Sequence, residues 1–134
     1  MKDDRLEHKH VLFNATFKKT PFSDESFTCN WINKVVELIG MEILIPPKAC
    51  RSEAEGNEGI SAFCLITTSH ISLHSWEKRD PNYIQLDVYS CKNFDHLILV
   101  EELKRMGASR VGCSCHNRSI GETKGWIIGD ENLL

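Results

Sequence analysis

Apolar and polar residues alternate from His10 to Phe17, with Val11, Phe13, Ala15 and Phe17 on one side and Asn14 and Thr16 on the other. That two-residue period predicts a half-buried strand. After Pro21 the period lengthens. Ser23 stands as a candidate N-cap with Asp24 and Glu25 in the first turn, and Phe27, Trp31, Val35, Leu38 and Ile39 then recur at helical spacing opposite Asn30, Asn33, Lys34 and Glu37. Gly40 takes the place where helices commonly end. Glu42 to Ile45 predicts a short strand stopped by Pro46-Pro47, and the polar, glycine-containing stretch up to Gly59 a surface loop. Ile60 to Thr67 is apolar on both faces and predicts a central strand. His70 to Trp76 alternates, as does Tyr83 to Cys91, with Ile84, Leu86 and Val88 toward the core. Asn93 is the expected cap of a second helix through about Met106, ended by Gly107, and Ala108 to Cys113 a last strand. The tail 116–134 shows little periodicity beyond Gly125-Trp126-Ile127-Ile128 and is expected to be flexible.

Strand, helix, three or four strands, helix, strand predicts a two-layer α+β sandwich: a mostly antiparallel sheet with two helices on one face, in a single domain over 1–134. The other face would carry His70, Ser72, His74 and Trp76 beside Tyr83, Gln85, Asp87 and Tyr89, a polar yet aromatic surface suited to solvent or to a second subunit.

Charge narrows the function. Sixteen basic against nineteen acidic residues give a net charge of -3 in 134 residues, which argues against a broad basic surface for nucleic acid. No run reaches the length of a membrane span, and Met1-Lys2-Asp3-Asp4-Arg5 lacks the apolar stretch of a signal peptide. A soluble, cytoplasmic protein is expected. Six cysteines, at 29, 50, 64, 91, 113 and 115, are many for such a protein. None has the spacing of a zinc knuckle, and Cys113-Ser114-Cys115-His116 alone cannot supply a structural tetrahedral site, so no metal is expected and most of the thiols read as packing.

The chemistry gathers in one hairpin. If His70–Trp76 pairs with Tyr83–Cys91, then Trp76 lies opposite Tyr83, His74 opposite Gln85, and Cys91 within about one residue of Thr68 or Ser69. Register alone brings a serine, a thiol and a histidine to one end of the sheet.

Gly59-Ile60-Ser61, Thr68-Ser69-His70-Ile71-Ser72-Leu73-His74-Ser75-Trp76 and Leu86-Asp87-Val88-Tyr89-Ser90-Cys91, in that order, resemble the prokaryotic S-adenosylmethionine decarboxylase family over roughly 8–113. The resemblance implies an enzyme that makes its own prosthetic group. A serine hydroxyl attacks the preceding peptide carbonyl, the ester eliminates, and the new chain begins with a pyruvoyl group that captures the substrate amine as a Schiff base and serves as electron sink. It implies a cut between Thr68 and Ser69, giving a β chain 1–68 and an α chain 69–134, with Ser69 as pyruvoyl precursor. Ser61 and His74 would assist the cut by proton transfer. Cys91 would reprotonate the product carbon, a task suited to a thiol of ordinary pKa near 8.5. Trp76 and Glu77 would bind substrate. The family is dimeric, so a homodimer of processed protomers is implied, serving polyamine synthesis.

Two positions depart from the family pattern. Thr68 stands where glutamate usually precedes the cleaved serine, and Glu77-Lys78 follows Trp76 where proline and then a ribose-holding glutamate are usual. A pyruvoyl-dependent arginine or ornithine decarboxylase is therefore the alternative substrate reading, and a non-cleaving regulatory or binding homologue a second alternative.

Overall fold

The computed structural model describes residues 7–119 and 128–129. The first strand, β1 (Lys9–Phe17), buries the predicted face: Val11, Phe13, Ala15 and Phe17 are all at or below 1% exposure. The first helix, α1 (Glu25–Leu38), is capped by Asp24 and not by Ser23; the Asp24 carboxylate accepts the Phe27 N–H at 2.8 Å. A carboxylate satisfies that N–H and also meets the positive end of the helix, which a hydroxyl does not. The buried stripe is Thr28, Trp31, Ile32, Val35, Val36 and Ile39. It is turned slightly from the predicted one, leaving Phe27 and Leu38 exposed. Gly40 follows at φ 69°, the left-handed position in which glycine carries no steric penalty.

The next segment differs from expectation. Strand β2 (Ile43–Ser52) runs through Pro46-Pro47 and takes up much of the predicted loop. It can do so because it is an edge strand paired only with β3 (Gly59–Ile66), and two register shifts, between Ile43 and Ile45 and between Ile45 and Lys48, absorb the prolines' missing donors. Strands β4 (Ser69–Trp76) and β5 (Asn82–Ser90) form the predicted hairpin, with Trp76 opposite Tyr83 and His74 opposite Gln85. The second helix, α2 (His96–Arg105), starts two residues later than expected, because Asp95 and not Asn93 caps it through the Leu97 N–H at 3.0 Å. Strand β6 (Arg110–Asn117) extends beyond Cys113 and carries His116 into the sheet, and β7 (Ile128–Gly129) is a short final strand. The rest of the predicted tail lies outside the described residues.

The strands lie in the order β2-β3-β4-β5-β1-β6-β7, every pair antiparallel. Because β1 inserts between β5 and β6, the N-terminal strand sits inside the sheet and His10 lies across from both Tyr89 and His116. Strand β3 lies next to the edge rather than at the centre. Its second apolar face, Phe63 and Leu65, is 46% and 38% exposed on the side the helices leave open. No described helix is long and apolar enough to cross a membrane. Gly59 explains the start of the Gly-Ile-Ser string: a Cβ there would stand 1.9 Å from the Ser75 carbonyl oxygen of β4.

Both helices cover one face, and a buried carboxylate joins them. Glu102 of α2, 8% exposed, accepts from Arg105 at 2.6 and 3.0 Å, from Lys34 of α1 at 3.0 Å and from the Trp31 indole at 3.3 Å. Arg105 foremost, with Lys34 and Trp31 behind it, outweighs desolvation and lowers the carboxyl from 4.5 to about 2. A depressed carboxyl stabilises the fold above its unfolded pKa and ceases to do so as pH falls through the folded value. Glu102→Gln is therefore expected to cost about 2 kcal/mol at neutral pH, with the gap to the parent closing between about pH 4.5 and pH 2. Urea midpoints across that range check this, and a gap unchanged at pH 2 contradicts it.

Candidate active site

Strands β3 and β4 are joined by a two-residue turn, Thr67-Thr68, with Ile66 paired to Ser69. Thr68 stands at φ 51°, the one described non-glycine residue at positive φ. A β-branched residue there is a steric outlier, and such positions store about 1–3 kcal/mol. Its hydroxyl donates to the Thr67 carbonyl at 2.8 Å. Ser69 follows, 7% exposed on the helix-covered face. Its Oγ accepts the Cys91 backbone N–H at 2.8 Å, and the Cys91 thiol, itself buried, donates to the Thr67 carbonyl at 3.4 Å. The β4–β5 register leads directly to this contact. Carried one residue past Ser90, it sets Cys91 against the turn that Ser69 leaves. A buried hydroxyl, a strained peptide immediately before it and a thiol hydrogen-bonded to that turn are the parts needed to break that peptide and to move a proton beside it.

Ser61 and His74 form a second centre. They are directly paired across β3 and β4 and share a hydrogen bond of 2.7 Å between Oγ and Nδ1. Cys50 of β2 completes the row opposite Ser61. Lys48, Cys50, Ser61, Phe63, Ser72 and His74 line a groove of about 370 Å³. Cys50 is exposed there, so it is not the packing residue the sequence suggested. Within one chain this pair does not meet Ser69. The two rows of the β3–β4 pairing are five residues apart, about 17 Å along the strands, and an odd separation puts the side chains on opposite faces. The histidine that does share Ser69's end of the sheet is His70.

The two remaining expected site residues are held by neighbours. Trp76 stacks on Tyr83 with centroids 4.6 Å apart and donates its indole N–H to Asn57 at 3.0 Å. Both Glu77 carboxylate oxygens accept from Arg51, which also donates to the Ser23 carbonyl at 2.9 Å. The Arg51 hydrogen bonds hold the Glu77 carboxyl below its usual range. Arg51 escaped the sequence reading because it lies where a loop was expected; it became a partner only once β2 extended beside β3.

The cysteine cluster also rearranges. Cys113 and Cys115 share the core side of β6, and His116 points to the other side, so the tetrapeptide does not act as a unit. Instead His96, Cys113 and Cys115 bring their donor atoms within 4.8 Å of one another.

Comparison with known proteins agrees with the fold. A family model described as S-adenosylmethionine decarboxylase matches residues 9–119. The structure is similar to the adenosylmethionine decarboxylase of Aquifex aeolicus VF5, with a TM-score of 0.67 at 16% identity, covering 90% of this chain and 98% of that one. In sequence the chain is similar to the arginine decarboxylase proenzyme of Caldivirga maquilingensis, 32% identical over 68 residues, which is 51% of this chain and 48% of the relative. The matched stretch thus spans about half of that relative's length. Members of the family depend on a pyruvoyl group made from a serine of their own chain. With the family model spanning β1 to β6 and both helices, the chain belongs to the S-adenosylmethionine decarboxylase family.

Proposed function

We propose that this protein is a pyruvoyl-dependent decarboxylase that cuts itself between Thr68 and Ser69 and then decarboxylates S-adenosylmethionine. The observation that carries the reading is the contact of Ser69 with Cys91 at a turn strained at Thr68. Ser69 Oγ attacks the Thr68 carbonyl carbon, the Thr68–Ser69 C–N bond breaks as the ester forms, and the Ser69 amine takes the proton. Elimination frees the Thr68 carboxylate, and hydrolysis of the remaining enamine releases ammonia and leaves the pyruvoyl end. When present, that group supplies an electron sink for the carbanion left by loss of carbon dioxide. Ser69's burial holds the group against the β3–β4 turn, and the Cys91 thiol, hydrogen-bonded to that turn, is the acid that delivers a proton to the product carbon.

Ser61 and His74 lie on the helix-free face, where a second copy would pack. The helix-free face carries exposed Leu12, Phe63 and Leu65 among polar and aromatic residues, which suits a self-complementary two-fold interface. The dyad lies about 17 Å along the strands from Ser69 and on the other side of the sheet, so within one chain it does not act on Ser69 directly. Six free cysteines suit the reducing cytoplasm.

A second reading, arginine or ornithine as substrate, is favoured by two observations. Arg51 occupies the Glu77 carboxylate that would otherwise face a ribose, and the Caldivirga relative is described as an arginine decarboxylase proenzyme. Carbon dioxide release from S-adenosylmethionine, arginine and ornithine, measured side by side on the same cleaved preparation, decides: release from S-adenosylmethionine supports the first reading, release from the basic amino acids alone replaces it with the second.

Two variants separate the roles. Cys91→Ala is expected to cleave yet lose about 10²-fold or more in turnover, the usual scale of a missing general acid; unchanged turnover removes Cys91 from the mechanism. Thr68→Gly relaxes the left-handed residue and is expected to slow cleavage by about tenfold, the effect of roughly 1.4 kcal/mol of released strain. Band intensities over time on a denaturing gel give the rate, and cleavage as fast as the parent's contradicts a role for that strain.

A further inference from the structure

We propose that His10, His70 and Asp87 form a binding site for a transition-metal dication of the zinc type on the helix-free face of the sheet. The three residues come from adjacent central strands, β1, β4 and β5, and project from the same side. Their donor atoms, His10 Nε2, His70 Nε2 and an Asp87 oxygen, lie within 4.8 Å of one another. Both imidazoles converge on the same oxygen, Asp87 Oδ1: His10 hydrogen-bonds to it, and His70 Nε2 stands 3.8 Å away.

Distances and donor types fit an ion. A tetrahedral zinc holds its ligands at about 2.0–2.1 Å, which puts donor atoms about 3.3 Å apart. The present separations straddle that value, so side-chain rotation of about an ångström closes the site with no backbone movement. Two imidazoles and one carboxylate are a donor set suited to zinc, iron or cobalt and a poor one for magnesium. Tyr89 sits between the two histidines in the paired row, its ring 5.5 Å from each; its hydroxyl bonds His8 at 2.7 Å and Arg118 covers its ring at 4.6 Å. The imidazoles are thus buttressed before any ion arrives, as ligand histidines need to be. His70 and Asp87 are 42% and 35% exposed, so an ion has access in the single chain and one coordination position stays open.

The thiol-rich cluster under α2 is less suited. Lys9 Nζ lies 3.2 Å from His96 Nδ1. The Lys9 ammonium would stand beside the ion and repel it.

The site has a consequence that rests on the cleavage proposed above. After a cut at Thr68–Ser69, His10 belongs to one chain and His70 and Asp87 to the other. An ion would bridge the two and fix His70, the residue next to the new pyruvoyl end.

Calorimetric titration of Zn²⁺ into untagged, chelator-treated protein tests the site, with Co²⁺ visible absorption as a spectroscopic signature. One equivalent per chain is expected. Asp87→Asn and His10→Gln, each checked for native circular dichroism, should weaken binding at least tenfold and lose the Co²⁺ band. A Cys113→Ser/Cys115→Ser double variant should bind as the parent does, and excess Mg²⁺ should not displace the ion. Binding that disappears with the cysteines, or that survives both Asp87→Asn and His10→Gln, overturns the proposal, as does no binding by the parent. The uncut Ser69→Ala chain should bind Zn²⁺ equally; if binding holds while the parent never cleaves, the site stands and the cleavage reading alone falls.

Discussion

The register of the β3, β4 and β5 strands is the constraint on which the site depends. Antiparallel pairing fixes which residues are neighbours to within one position, and an error of one would move every side chain to the other face. With Trp76 opposite Tyr83, the chain leaving β5 passes the β3–β4 turn, and the Cys91 amide and thiol both engage it. The core holds this register in place: Ile71, Leu73, Ile84, Leu86 and Val88 are buried to within 1% of complete, so a slipped hairpin would expose them all. The strain at Thr68 is tolerated because so much apolar surface on either side determines where the turn must lie.

The same alternation divides the chemistry between two faces. Ser69 faces the helices and is enclosed, whereas Ser61, His74, His10, His70 and Asp87 line the open face. Both described helices pack on one face of the sheet, and the open face keeps exposed Leu12, Phe63 and Leu65. That open face, with its exposed apolar residues, is the surface on which the proposed second copy would pack. The enclosure of Ser69 arises from the fold itself.

Legibility from sequence followed the reach of each interaction. The β4–β5 hairpin was readable because its alternation and short connection leave one register, and that register led to Cys91. Glycines 40 and 107 marked helix ends for local steric reasons. The start of each helix was misplaced by one or two residues, since Ser23 and Asp24, or Asn93 and Asp95, are comparable caps until the chain's path selects one. Strand β2 was hidden by Pro46-Pro47, which are tolerated because no described strand pairs with its outer edge, a fact of topology. Arg51 with Glu77, and His10 with His70 and Asp87, were invisible for the same reason. They join through strands distant in sequence, and the insertion of β1 between β5 and β6 leaves no local mark. The separation of Ser61 and His74 from Ser69 was implicit in the β3–β4 pairing, yet it emerges only when β3 and β4 are laid side by side.

Everything proposed for the chemistry depends on whether the peptide before Ser69 breaks. Intact-mass spectrometry of the freshly purified protein measures this directly. The account predicts two species, residues 1–68 with an ordinary carboxyl end and residues 69–134 beginning with a pyruvoyl group in place of serine. A single mass for the uncut 134-residue chain would contradict it.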